Sequence, residues 1–415
     1  MKNITMEAKN RESYLDWLRI LSILGVLLFH SAMPYVAEDG WHIKNPETSN
    51  LLMESNFFLH LSRMPLLFFI SGTVSYFMMQ RKTTAKFISL RFRRLFIPLL
   101  AGMFLIVPPQ IYMERLTEGY SGSFLSWYPD VLHFIPYPEG SFSWHHLWFI
   151  AYLFLYDLLL APLFAWCLSP YSITFKHLLG RLAKGKRIYL LILPGVVWYA
   201  FTSRALPETN DLVHDGGYFI YWLLFLIAGF LCIFQPSLMD SLQRNRRHSL
   251  MLGFLCLIFL NYLRWNKIEP GHSDWPFTNA VFMYFFDALK PLVAWSWVFA
   301  LVGYGKQYLN HKHRALNYLN EAVYPFYILH QTVIVLLVYY FVQLPNESIL
   351  SKYIYTLATT FFITMLTYHL FIRPFALMRL LFGMKPKPVQ REQGMPIQGV
   401  GQSTPVQTPD PILIS

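Results

Sequence analysis

The 415-residue chain is 55% hydrophobic and 18% aromatic, with only 14% charged residues and a formal net charge of +11. So apolar a composition excludes an ordinary soluble domain and a disordered chain, and it implies a polytopic membrane protein. In a soluble chain the positive charge would point to nucleic acid, but in a membrane chain it first describes the loops, so no nucleic acid is expected among the partners.

Apolar runs able to cross roughly 30 Å of hydrocarbon, about 20 residues each, fall at 17–36, 56–79, 95–113, 147–168, 188–203, 216–234, 250–266, 278–304, 321–342 and 353–372. The expected fold is therefore all-α, a transmembrane helical bundle of about ten spans. Short cytoplasmic loops carry an excess of Lys and Arg. Arg81, Lys82, Lys86, Arg91, Arg93 and Arg94 fill the second connection, and Lys176, Arg181, Lys184, Lys186 and Arg187 the fourth. Arg244, Arg246 and Arg247 lie in the sixth, and Lys306, Lys312 and Arg314 in the eighth. The intervening connections are acidic, with Glu38, Asp39, Glu47 and Glu54, then Glu118, Asp130 and Glu139, then Glu208, Asp211 and Asp215. This alternation predicts that both termini are cytoplasmic. The first span has a long apolar core and lacks a small-residue cleavage site after it, so it is expected to stay as a helix. Residues 1–382 form the transmembrane domain, and 383–415, rich in Pro, Gln and Gly, read as a disordered cytoplasmic tail. Cys167, Cys232 and Cys256 all sit in apolar stretches without paired spacing, which fits core packing and not a disulfide framework or a zinc site.

The first span holds "RILSILGVLLFH", Arg19 to His30. Eleven steps of about 100° bring the two residues to one helix face, about 16 Å apart along the axis. Arg19 falls at the cytoplasmic rim and His30 well inside the membrane, where ionisable groups by default mark functional sites. An imidazole also suits general-base work near neutral pH. The same pair fits a packing histidine with a snorkelling arginine. "RFRRLFIP" puts Arg91 and Arg94 one turn apart at the mouth of the third span, suited to a polyphosphate head group and equally to plain positive-inside topology. Arg63 lies within the second span with no acid within a turn, and "SGT" from Ser71 to Thr73 allows a close helix contact. His145, His146 and Trp148 open the fourth span at the outer interface, and His330 in "YPFYILHQT" is a second imidazole inside an apolar span. Asp287 and Lys290, one turn apart, are placed to neutralise each other. No metal-ligand cluster and no Ser-His-Asp set is evident in the residue order, and no metal is expected.

"YLDWLRILSILGVLLFHS", "RMPLLFFISG", "RFRR", "HLWFI" and "YPFYILHQ" occur in that order. Together they resemble the acyltransferase 3 family of integral membrane acyltransferases, in its glucan biosynthesis protein C-like branch, over about residues 10–380. The resemblance implies a multi-pass protein of the bacterial inner (plasma) membrane. It implies transfer of an acyl group, acetyl or succinyl, from cytoplasmic acyl-CoA to a hydroxyl of an extracytoplasmic glucan or other envelope carbohydrate. Acyl-CoA serves as donor co-substrate, with no bound cofactor, and membrane lipids surround the bundle. Carried onto this sequence, His30 is the catalytic histidine, Arg91 and Arg94 the donor-binding pair, and Arg19 the basic residue of the first-helix motif. Arg63, Ser71 and His330 are assigned to the substrate tunnel or to oxyanion stabilisation. A secondary transporter or exporter of an anionic or carbohydrate substrate is the alternative, but its inverted repeats and matched Gly or Pro breaks are not seen. A non-catalytic envelope scaffold is a third reading, which retention of His30, Arg91 and Arg94 disfavours.

Overall fold

The computed structural model of the protein describes residues 12–37, 40–270 and 280–386. Glu38, Asp39 and the tail from 387 onward lie outside the described residues. Helices dominate, because a chain crossing hydrocarbon must satisfy its backbone N–H and C=O groups within each segment. The main ones are α1 (Ser13–Ala32), α2 (Asn50–Met79), a segmented α3 (Thr84–Thr117), α4 (Trp148–Cys167), α5 (Leu193–Thr202) and α6 (Gly216–Phe234). They are followed by α7 (Pro236–Trp265), α8 (Ala280–Tyr308), α9 (Arg314–Phe341) and α10 (Ile349–Thr367). Serine and threonine hydroxyls cap several starts: Ser49 accepts from the Leu52 amide at 3.4 Å and Ser348 from the Ser351 amide at 3.1 Å.

Among the described residues, nine helical stretches are long and apolar enough to cross a membrane, and the expected fifth span is the shorter Arg187–Thr202. Its placement follows from what its two ends touch. On one side, Arg244 donates to the Ala183 carbonyl and Asn245 to that of Gly185, each at 2.9 Å. On the other, Trp144 Nε1 donates to the Asn210 carbonyl at 2.9 Å and the Leu212 amide to the Tyr152 hydroxyl at 3.2 Å. The loops that flank this segment therefore sit at opposite ends of the bundle.

Contacts link the basic connections into one end of the bundle. Trp17 packs on His311 and His313 with ring centroids 6.0 and 6.1 Å apart, Lys306 pairs with Asp240, and Arg379 reaches Glu321 at 2.7 Å. Acidic loops gather at the opposite end, where Arg264 bonds Glu54 at 3.1 Å and His60 approaches Glu208 at 3.5 Å. There Arg204 holds Asp287 with two bonds, one of 2.9 Å, so the expected pairing of Asp287 with Lys290 is replaced by a bidentate guanidinium fork. Burial of the outer Glu208 carboxyl is outweighed by His60 and the Arg63 charge, so its pKa is lowered.

Two glycines set the closest crossing. A Cβ on Gly72 would come within 1.9 Å of the Leu226 carbonyl oxygen, and one on Gly229 within 1.8 Å of that of Phe69. The small "SGT" residues thus allow α2 and α6 to meet backbone to backbone, as their sequence implied. Helix α3 contains π turns at Phe92–Phe96 and Gly102–Ile106, ahead of Pro98 and Pro108. Proline lacks an N–H and its ring crowds the carbonyl four residues back, and the wider turn relieves that clash. Residues 383–386 pack against the bundle. Gly383 takes a left-handed φ of 65° beside the Arg94 carbonyl, and Arg379 donates to the Lys385 carbonyl at 2.6 Å.

Because a methyl group here meets unyielding backbone, Gly229→Ala should destabilise the protein by about 1–3 kcal/mol. Thermal melting in detergent would show it as a lowered midpoint, while Gly216→Ala, where a Cβ meets open space, should leave the midpoint near that of the parent.

Candidate active site

Helices α1 and α9 run side by side in the same direction, cross-linked at two levels. Near the basic end, Arg19 Nη2 donates to the Asn320 carbonyl at 3.1 Å. Deeper in, His30 Nδ1 and His330 Nε2 are 2.8 Å apart, with rings within 3° of parallel. Arg19 and His30 are separated by eleven residues, Asn320 and His330 by ten, so both helices climb about 15–16 Å between the two links.

The hydrogen-bond chain determines where the protons sit. His330 Nδ1 lies 2.6 Å from the Tyr327 carbonyl, which can only accept. His330 Nδ1 therefore carries hydrogen and its Nε2, in the neutral ring, is the acceptor. The proton between the rings then belongs to His30 Nδ1, which leaves His30 Nε2 with a bare lone pair. This is the arrangement of a general base oriented by a second group through its other nitrogen. His330, grouped with the substrate-binding residues from sequence, lies beside His30 with its Nε2 as the acceptor.

The pair is surrounded by aromatic and basic side chains. Trp41 lies 5.5 Å from the His30 ring, and His146 stands edge-on to His330 at 5.4 Å. His146 Nε2 donates to the Ile328 carbonyl at 3.0 Å, and the Tyr327 hydroxyl donates to the His146 carbonyl, so the 327–330 stretch is clasped from the entry of α4. The Arg63 guanidinium lies 3.4 Å above the Phe29 ring, next to His30, which holds a charge near the base. Ser71 is not gathered here. It lies eight residues along α2 from Arg63, about 12 Å toward the basic end, and its carbonyl accepts from Ser75 at 3.1 Å.

The basic end separates the two expected donor-binding arginines. Arg91 is buried, 2.8 Å from Asp157 of α4, and it donates to Ser75 at 2.7 Å, while Ser75 donates to Asp157 at 2.7 Å. The π turn that follows it takes Arg94 out of a regular α-helical i,i+3 register with Arg91. Arg94 is half-buried, with no carboxylate partner among the described residues. Tyr324, whose buried hydroxyl has no hydrogen-bond partner, lies on α9 against the same Gly383 turn as the Arg94 backbone.

Sequence reading missed a second group at the outer end. His42 Nδ1 bonds a Glu114 oxygen, the Tyr137 hydroxyl donates to the other oxygen at 2.8 Å, and the His145 ring packs on His42 with centroids 4.7 Å apart. Gln331, next to His330, reaches His42 Nε2 at 3.4 Å. The adjacent histidines 145 and 146 were the available signal, but interfacial histidines are too common for that pair alone to mark a site.

The sequence profile of the family described as "Acyltransferase domain" matches residues 12–369. The chain belongs to this family, and the protein is a multi-pass membrane acyltransferase that transfers groups other than aminoacyl groups. It is similar to a protein named "Glucans biosynthesis protein C" from Escherichia coli O81 (strain ED1a), 25% identical over 92% of this chain and 96% of the relative. A protein of the same name from Salmonella typhimurium is 24% identical over 92% of this chain and 97% of the relative. No solved structure matches.

The two arginines should respond differently to substitution. Arg91→Ala strands the Asp157 charge in the bundle and should cost about 3–5 kcal/mol of stability, visible as loss of monodisperse protein on size exclusion. Asp157→Asn added to it should recover much of the loss. Arg94→Ala should fold normally and weaken donor binding, which titration calorimetry would report.

Proposed function

We propose that the protein is an O-acyltransferase of the bacterial inner membrane. It moves an acetyl or succinyl group from cytoplasmic acyl-CoA to a hydroxyl of an extracytoplasmic glucan or other envelope carbohydrate. His30 is its general base. The observation that carries the reading is the relay from His30 Nδ1 through His330 to the Tyr327 carbonyl, which leaves His30 Nε2 free to accept a proton. The family supports acyl transfer, and the names of the relatives support a glucan as acceptor.

In this reading the acceptor hydroxyl gives its proton to His30 Nε2 as its oxygen bonds the thioester carbonyl carbon. The developing imidazolium is stabilised because its other N–H remains bonded to neutral His330. The tetrahedral intermediate collapses, the C–S bond breaks, and the proton on His30 passes to the departing thiolate, so the base is restored. Arg63 is the nearby positive charge toward which the oxyanion can turn. Arg94 and Arg19 at the basic end receive the donor's phosphates, and the climb between the two α1–α9 links is of the order of a pantetheine arm. Ser71 lines the route between the ends.

The test uses labelled acetyl-CoA and succinyl-CoA with glucan acceptor in proteoliposomes. His30→Ala should lower turnover by at least about a hundredfold in protein that still folds, with a melting temperature lowered only by the loss of one buried hydrogen bond; activity near wild type removes His30 from the chemistry. His330→Ala should lower kcat with little change in KM for either substrate, and His330→Gln, which retains an acceptor for His30 Nδ1, should recover part of it. Unchanged kcat in His330→Ala would show that the relay is not used.

A further inference from the structure

His42, Glu114 and His145 come from three separate segments: the loop after α1, the end of α3 and the entry to α4. Their ligand-capable atoms all lie within 4.8 Å of one another. Ligands about 2.0–2.2 Å from one tetrahedral zinc are about 3.3 Å apart, so small side-chain rotations close the set. From these residues we infer a divalent-cation site, of zinc type, at the outer mouth above the histidine pair.

The donor set is a pair of imidazoles and one carboxylate, a combination typical of zinc sites that keep a fourth position open. Each donor is braced from behind, as metal ligands are. Ser143 Oγ lies 2.6 Å from His145 Nδ1 and accepts from the His145 amide at 3.0 Å, which holds the ring by one edge and leaves Nε2 on the other. That Nε2 is buried and has no hydrogen-bond partner, an expense in the absence of a further ligand. Tyr137 holds the second oxygen of Glu114 at 2.8 Å, and Gln331 faces the far nitrogen of His42 at 3.4 Å. His145 is held at a φ of 40°, a conformation that a non-glycine residue keeps only where its surroundings impose it.

Neighbouring cations do not occupy the space. Arg115 turns to Glu118 and to the Pro138 carbonyl, both at 2.7 Å, and Lys44 is tied to the Met33 carbonyl at 2.9 Å. Metal binding at His42 Nδ1 requires the neutral ring to carry its hydrogen on Nε2 instead, where the Gln331 side-chain oxygen can turn to accept it. The bound ion would pin three segments around Gln331, one residue from His330, and so fix the outer wall of the pocket. None of this depends on the identity of the acyl donor.

The test is metal content. Protein purified without a polyhistidine tag is incubated with zinc, desalted and measured by elemental mass spectrometry. About one zinc per chain is expected in the wild type, falling to background in Glu114→Gln and in His145→Ala and remaining in His133→Ala, an exposed histidine of the same face. Zinc absent from the wild type, or equally present in both ligand variants, overturns the site. Should a ligand variant fail to fold, cobalt substitution of the wild type decides: tetrahedral visible absorption supports the site, and a spectrum of aqueous cobalt refutes it.

Discussion

Hydrocarbon offers no water to a polar side chain, so a charged or amide group placed within a span is stabilised by a partner, and here several of those partners lie on another helix. That constraint organises this bundle. Arg91, Ser75 and Asp157 lock α3, α2 and α4 together near one end, and Gln110, Gln331 and Thr332 join α3 to α9, with Gln110 donating to Thr332 at 2.7 Å and accepting from Gln331 at 3.2 Å. The Arg19–Asn320 and His30–His330 bonds set α1 against α9 in register. Apolar packing between helices cannot fix register in this way, because lipid chains are as apolar as leucine.

The proposed reactive centre is what remains once these demands are met. His330 spends one nitrogen on the Tyr327 carbonyl and the other on His30. His30 has only two nitrogens, and the relay consumes one. The free lone pair is thus produced by the same bonds that align the helices. A single histidine on one span would have lacked both the fixed tautomer and the fixed orientation.

Much of this was legible in the sequence. Hydropathy located the crossings, and the alternation of basic and acidic loops assigned their ends, because both signals are additive along the chain. His30, Arg19 and Arg63 stood out since an ionisable residue in an apolar run is visible without knowledge of its neighbours. Pairing was not visible. Nothing near Arg91 in sequence announces Asp157, and the π turn that changes the register of Arg94 depends on how the helix accommodates Pro98. His42, Glu114 and His145 were missed for the same reason: they converge only when the ends of three segments meet. Asp287 was assigned its nearest sequence neighbour of opposite sign, whereas Arg204 from another segment supplies the better fork.

The depth of the histidine pair gives the proposed reaction its spatial logic. A carbohydrate carries many hydroxyls, and each one stripped of water without a replacement partner carries a desolvation cost. The donor's arm is far less polar, and its charged phosphates are confined to one end. Placing the base near the outer end moves the less polar partner the longer distance and leaves the sugar close to water. The charge distribution follows the same division, with guanidinium groups at the entrance for the phosphates. At the opposite end Arg264, Arg204 and Arg115 are each bonded to a carboxylate. A carrier moving one polar substrate across the whole bundle would need polar lining throughout its depth. Here the stretch of α1 between Arg19 and His30 offers a single polar side chain, Ser22, already bonded to the Leu18 carbonyl at 2.7 Å.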